Sequence, residues 1–364
     1  MDATARSHPQ PTDPLFSVRM SDPGEIAAAL PQLLGFRPRE SVVLVGLSAP
    51  DGGRLGLTVR ADIPPPEHAA ALARTLARSI GTDRPRGVVV VVVSDDEGVG
   101  SSRDLPHRQL VWEMVQALAG VPVAVPEVLL VRRGRWWSYD CADRCCDPGT
   151  GTVLPGVSAL EAAAVVTGTV VAADRAELVE RIAPARGPDA DAMAASCART
   201  AVACAEDLVM AGAEETAEAS WTAITAALAR CRPGLSGVPL TDDEVARILC
   251  GLRDVGVRDR ALELALGPDA PAAEVLWTEC TRRAPAPLAA APATLLAVSA
   301  WLRGDGAMAN VALDRALDGE PDYVLAGLLA QGLARCLSPA ELRSIIGTAL
   351  DPGARDRGDD RSAG

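Results

Sequence analysis

The chain contains no lysine; all 35 of its basic side chains are arginine. This reads as a coding bias toward Ala, Arg, Gly and Pro and carries no functional signal. Aromatic residues are scarce, at 3 %, with six Trp, two Tyr and two Phe. A core short of rings must be filled by Ala, Val and Leu, and an apolar content of 48 % supplies enough of them. Long hydrophobic runs are missing as well. The longest aliphatic run, Val88–Val93, falls far short of the roughly 20 residues needed to cross a bilayer. A net charge of −13 excludes a large basic footprint for nucleic acid. The segment Met1–Pro14 is polar and proline-rich and lacks the basic-then-apolar pattern of a secretion signal. The expectation is a cytoplasmic protein with neither nucleic acid nor membrane as partner.

Recognisable catalytic sets are also missing. The histidines are His8, His68 and His107, and no Gly-x-Ser-x-Gly elbow accompanies them. Neither the Walker nor the dinucleotide-binding fingerprint occurs. No catalytic residue is assigned.

What is present is concentrated in Gly134–Pro148, which holds Trp136, Trp137, Tyr139, Cys141, Cys145 and Cys146. The segment marks a change in pattern along the chain. Before it, Ser41–Ser48, Arg54–Ile63, Gly87–Ser94, Glu127–Arg132 and Arg135–Tyr139 read as strands. The first two and the last two of these read as hairpins. Helices are predicted at Pro23–Leu34, His68–Ile80, Asp104–Ala119, Ser158–Val166 and Arg175–Ile182. Gly87–Ser94 is apolar throughout, so it is expected to be central and parallel. After Pro184–Pro188 the strand pattern stops, and nine helices separated mainly by Gly and Pro run from Ala190 to Leu350.

The predicted fold class is an α/β N-terminal domain with a mixed, mostly parallel sheet, followed by an all-α helical-hairpin domain. The predicted boundaries are a disordered tail over 1–14, the α/β domain over 15–183 and a linker over 184–189. The helical domain covers 190–350, and a second disordered tail covers 351–364. Within the helical part, Leu296, Ala297, Ala309, Leu313, Ala316 and Pro321 fall where a tetratricopeptide hairpin places its large, small and terminating residues. Ala293 and Ala300 stand where that repeat has Trp and Tyr.

Several motifs together resemble a bacterial family catalogued as domain of unknown function 4192. They are Leu33-Leu34-Gly35-Phe36-Arg37-Pro38 with Glu40-Ser41, and Gly134-Arg135-Trp136-Trp137-Ser138-Tyr139 with Cys141 and Cys145-Cys146. In the second half they are Trp301–Ala307, Leu313–Leu317 and Pro321-Asp322-Tyr323. The resemblance covers nearly the whole chain and implies no reaction and no catalytic residues.

Three places could carry chemistry. Cys141, Cys145 and Cys146 could bind zinc, form a redox pair or pack as small buried thiols. A fourth zinc ligand would have to come from His107, Asp140, Asp143 or Asp147. Arg135, Trp136, Trp137 and Tyr139 offer an aromatic, cationic strand for a partner or for docking between domains. In an open parallel sheet ligands favour the carboxyl edge. There Gly98, Gly100 and Ser101 could present backbone donors to a phosphate, and Asp62 and Asp95 could hold magnesium. The leading functional expectation is a non-enzymatic interaction or scaffold protein with a protein partner. A small-molecule or nucleotide-dependent enzyme using the sheet edge is the alternative, and a thiolate metal-binding protein is the third reading.

Overall fold

The structure is a computed structural model that describes residues 22–47, 55–96, 104–147, 149–156, 161, 171–232 and 239–350. The predicted helix at Ser158–Val166 and both predicted tails lie outside these residues, apart from a single helical residue, Glu161. The described residues fall into two compact units. The first takes 22–33, 39–77 and 84–171, and the second takes 34–38, 78–83 and 172–350.

The first unit is built on six strands: β1 (Ser41–Leu47), β2 (Leu55–Asp62), β3 (Gly87–Val93), β4 (Ala124–Arg132), β5 (Arg135–Ser138) and β6 (Thr152–Val153). They lie in the order β2-β1-β3-β4-β5-β6. Helix α1 (Pro23–Leu34) precedes the sheet. Asp22 opens α1, its carboxylate accepting from Gly24 N at 2.7 Å. Helix α2 (Ala69–Gly81) links β2 to β3, and α3 (Arg108–Ala119) links β3 to β4. Val88–Val92 and Val42–Val45 are all essentially inaccessible. Side chains alternate between faces along a strand, so burial at consecutive positions means both faces of β1 and β3 are covered.

The sheet is mixed, but the expectation that it is mostly parallel is corrected. β1 pairs antiparallel with both β2 and β3, β4 with β5, and β5 with β6. Only β3 and β4 pair in parallel. The crossover through α2 does join two strands of the same direction, yet β1 lies between them. Hydrophobic runs identify a strand as buried but say nothing about which neighbour it accepts. Helix α3 starts at Arg108 rather than Asp104, because Asp104–His107 forms a turn ending with His107 at φ 59. The second hairpin is tight: Arg132 faces Arg135, and the two turn residues Arg133 and Gly134 have φ of 47° and 76°. This is the type I′ pattern that matches strand twist.

The second unit is helical: α4 (Arg175–Arg181), α5 (Pro188–Ala211), α6 (Ala213–Arg230), α7 (Asp242–Gly251), α8 (Val255–Leu262), α9 (Ala270–Arg283), α10 (Ala290–Leu302), α11 (Gly306–Gly319), α12 (Val324–Ala334) and α13 (Pro339–Leu350). Its core is made largely of aliphatic side chains, with Trp277 the largest of its inaccessible residues. Every residue of α10 except Ala291 is buried, and α10 packs against α9 and α11. The small residues Ala297, Ala309 and Ala316 are fully buried, which allows the axes of α10 and α11 to approach closely.

Helix starts here are well defined. Thr241 and Glu244 form a reciprocal capping box on α7, and Asp254 and Asp305 cap α8 and α11. Replacing Thr241 by Ala removes its side-chain acceptor for Glu244 N. It should lower the unfolding free energy by about 1 kcal/mol, read as a lower urea midpoint at unchanged slope.

Candidate functional site

The rim formed by β5, β6 and their connecting loop is organised around Trp137. Strand alternation separates Trp137, which points inward and is 3 % exposed, from Trp136 and Ser138, which are half-buried; Arg135 shares the face of Trp137 but sits exposed at the strand's start. The indole of Trp137 donates to Asp147 O at 3.1 Å, so it holds the far end of the cysteine loop. Arg132 stacks over the same ring at 4.8 Å. Gly151 closes the arrangement: with φ 60, a Cβ there would lie 2.4 Å from the indole. Trp136 has a comparable neighbour on the other face, since a Cβ on Gly24 would lie 2.6 Å from its Nε1. Tyr139 is buried and donates to Pro106 O at 2.6 Å, with Arg108 5.8 Å from its ring centre. Burial raises the Tyr139 phenol, which stays protonated at any physiological pH. Arg135 donates to Thr150 O and Gly151 O, both at 3.0 Å, so all four residues singled out in this stretch have structural roles within the first unit.

The loop held by Trp137 brings the thiols together. Cys141 Sγ lies 3.8 Å from Cys145 Sγ, and Cys145 Sγ lies 3.9 Å from Cys146 Sγ. All three sulfurs are within 4.8 Å of one another. Ser138 N donates to Cys146 Sγ at 3.3 Å. Burial is the main cause that pushes the Cys146 thiol up to about 11, partly offset by this backbone donor. Cys145 is exposed, and Cys141 and Cys146 are half-buried. Among the described residues this is the only group of three or more metal-ligating side chains. His107, a candidate fourth ligand by sequence, is engaged elsewhere.

That second place is the edge of the sheet where β1 begins and β2, β3 and β4 end. Ser41 faces Asp62 on one side and Val93 on the other, which puts Asp62, Ser94 and Asp95 on one edge. Asp62 is exposed and paired with Arg60 at 2.5 Å. Arg60 also donates to Ser41 Oγ at 2.9 Å. Asp95 donates its backbone N–H to Glu40 at 2.8 Å. Gly98, Gly100 and Ser101 lie outside the described residues.

The residue that ties this edge together is Glu40, which was not singled out from the sequence. Its carboxylate accepts from Asp95 N and from Ser94 Oγ, both at 2.8 Å. Ser94 is 2 % exposed and accepts in turn from Asp96 N at 3.1 Å. His107 Nε2 lies 2.9 Å from Ser94 Oγ. Because the serine proton is committed to Glu40, the imidazole acts as donor there, the reverse of a nucleophile–base pair. Glu40 and His107 both have left-handed backbones, with φ of 39° and 59°. Residue type does not announce that geometry, and neither position carries Gly or Asn. Apart from the Glu40-Ser41 dipeptide in a longer motif, no local signal could have found this cluster.

Two outcomes follow from the rim. Gly151→Ala should push against the indole of Trp137 and lower stability by about 1–3 kcal/mol in urea unfolding. Glu127, on β4, is raised by burial and then by Asp140 and Asp22. A folded-state value above the unfolded one means that folding favours the protonated form. The associated stability is present at low pH and lost as pH rises through the folded value. Glu127→Gln should therefore raise the melting temperature at neutral pH, with the gain vanishing in acid.

No curated protein and no solved structure matches this chain. The model described as Domain of unknown function (DUF4192) matches residues 23–340, a span that includes the sheet edge, the thiol rim and all but the end of the helical unit. The chain belongs to that family.

Proposed function

We propose that this protein binds a soft divalent metal ion, zinc by first choice, through Cys141, Cys145 and Cys146. The observation that carries the reading is the spacing of the sulfurs. A tetrahedral ion with bonds of about 2.3 Å to sulfur holds its ligands about 3.8 Å apart. Two of the three sulfur–sulfur separations here are 3.8 and 3.9 Å, and all three lie within 4.8 Å. Three thiolates also suit a borderline-soft cation better than magnesium or calcium. The Ser138 N–H directed at Cys146 Sγ supports the reading, because such a donor stabilises a ligating thiolate and fixes its orientation.

With three protein ligands the fourth position falls to water or to an added ligand. The ion's main effect would be to fasten the loop between β5 and β6 beneath Trp137. Two of the three ligands are adjacent in sequence, so closure orders few residues and the site depends on the scaffold to aim Cys141. Trp137, through Asp147 O, fixes the end of the loop that carries Cys145 and Cys146. An enzyme working at the sheet edge has less support. Ser94 is buried and its proton is directed at Glu40, while Asp62 is paired with Arg60. The expectation of a protein partner attaches to the helical unit instead.

Elemental analysis of protein purified without chelator is the test. It should find about one zinc per chain, lost in Cys141→Ser and in Cys146→Ser. Removing the metal should lower the melting temperature of the wild type and leave the variants unaffected. Substoichiometric metal after incubation with zinc, or a Cys141–Cys145 disulfide in thiol titration, would overturn the proposal.

A further inference from the structure

Helix α5 turns one face to its own unit and leaves another bare. Met193 and Ser196 are buried, and Ser196 Oγ donates to Asp243 of α7. Arg247 of α7 reaches Asp207 at 3.4 Å. The opposite face carries Ala195, Ala198, Val202, Ala205 and Val209, all exposed. Val202 is 61 % exposed and Val209 is 82 %, with Leu208 and Met210 beside them at 51 % and 85 %. Ala201, Val202, Ala205, Val209 and Met210 form one open, nearly flat apolar strip along the helix, with Glu206 among them. Bare valine and methionine at this density cost solubility unless something covers them.

The spacing of these residues specifies the cover. Ala195, Ala198, Val202, Ala205 and Val209 recur at alternating steps of three and four, the a and d positions of a coiled coil. In that frame Met193, Ser196, Cys197, Thr200, Ala203, Cys204 and Asp207 take the positions that face away from a partner. These residues are buried, half-buried or bonded to α7, so from Met193 to Val209 the two faces of the helix divide as a coiled-coil seam requires; Met210, outward in the same frame and 85 % exposed, lies beyond the seam. Arg199 and Glu206 both fall at e positions. When two copies run antiparallel, e positions meet e positions. The a positions of one copy then layer on the d positions of the other, so Val202 packs with Ala205 and Ala198 with Val209, and the two-fold axis passes between these layers. Arg199 of each copy meets Glu206 of the other, twice by symmetry. A parallel pair would place Arg199 against Ala194 and gain no such contact. Arg199 also bonds Asp243 at 2.9 Å, but its side chain is 66 % exposed and presents further donors.

We infer that α5 is a self-association surface, and that its partner is a second copy of this chain packed antiparallel along the Ala195–Val209 seam with reciprocal Arg199–Glu206 ion pairs. The alanines at the crossing let the two axes come close. The area available on one helix face is on the order of 1,000 Å² in total, which marks a reversible dimer rather than an obligate one. The inference is independent of the metal site, which belongs to the other unit.

Sedimentation equilibrium of the full chain over a range of concentrations tests it, with zinc held constant. The weight-average mass should rise from 37.6 kDa toward twice that value. Arg199→Glu and Glu206→Arg should each weaken self-association by at least about tenfold through like-charge contact across the axis. Glu206→Arg leaves the Arg199–Asp243 pair intact and so controls for folding. An equimolar mixture of the two variants should form heterodimers, because both cross-axis pairs then become attractive. Val202→Glu should give a stable monomer. A wild type that stays monomeric at every concentration would overturn the inference. So would charge variants that associate like the wild type, or a mixture that fails to associate. If a segment of the same chain covers the face, Val202→Glu will lower the melting temperature of a monomer, and that result also overturns it.

Discussion

Burial of both faces of β1 and β3 is the constraint on which the first unit depends. A strand with no solvent face must satisfy its backbone on both sides and its side chains above and below. Valine suits this role because its branched side chain loses little freedom on the pleat and fills space close to the backbone. In a chain this poor in aromatic residues, that small volume leaves the core dependent on tight aliphatic packing. Once β1, β3 and β4 are paired, their ends cannot shift, and whatever extends beyond them is positioned to within a residue. Glu40, Ser94 and Arg132 owe their placement to this registration and not to their own preferences.

The polar groups at that edge then act as ties. Glu40 bridges the start of β1 to the first residues beyond β3, and Ser94 passes the connection on to His107 at the entrance of α3. The left-handed backbones at Glu40 and His107 are unfavourable for such residues and persist because their side chains are held. At the rim beyond β5 an indole plays the equivalent part, gathering loop ends by one hydrogen bond and by contact with Gly151. Both devices trade local conformational cost for order in a loop.

Much of this architecture is legible in the sequence, for physical reasons. Strand and helix identities follow from periodicity, and the nine later helices stand where Gly, Pro and capping residues separate them. Asp22 before Pro23 marks α1, and the Arg133-Gly134 turn marks the hairpin of β4 and β5. Strand order did not follow. A buried valine run is compatible with any neighbour, so the insertion of β1 between β2 and β3 had no local signature. The thiols were legible as a cluster in sequence, but their convergence depends on Trp137 and Asp147 O, which only the folded loop brings together. Glu40 looked like one more acidic residue because its function lies in a backbone angle and two acceptor contacts. β6 was missed because two residues carry no period.

That brevity has a consequence of its own. A sheet's outermost strand offers unpaired donors and acceptors to any passing chain, and long flat margins are where fibrils begin. Here one margin is Thr152–Val153, with Pro155 two residues further on, so an incoming strand finds almost no ladder to lengthen. The other margin, β2, ends in Arg60 and Asp62 ahead of three consecutive prolines. A protein whose interior is almost pure valine and leucine in its sheet, and so has every reason to polymerise, is thereby kept discrete at both borders.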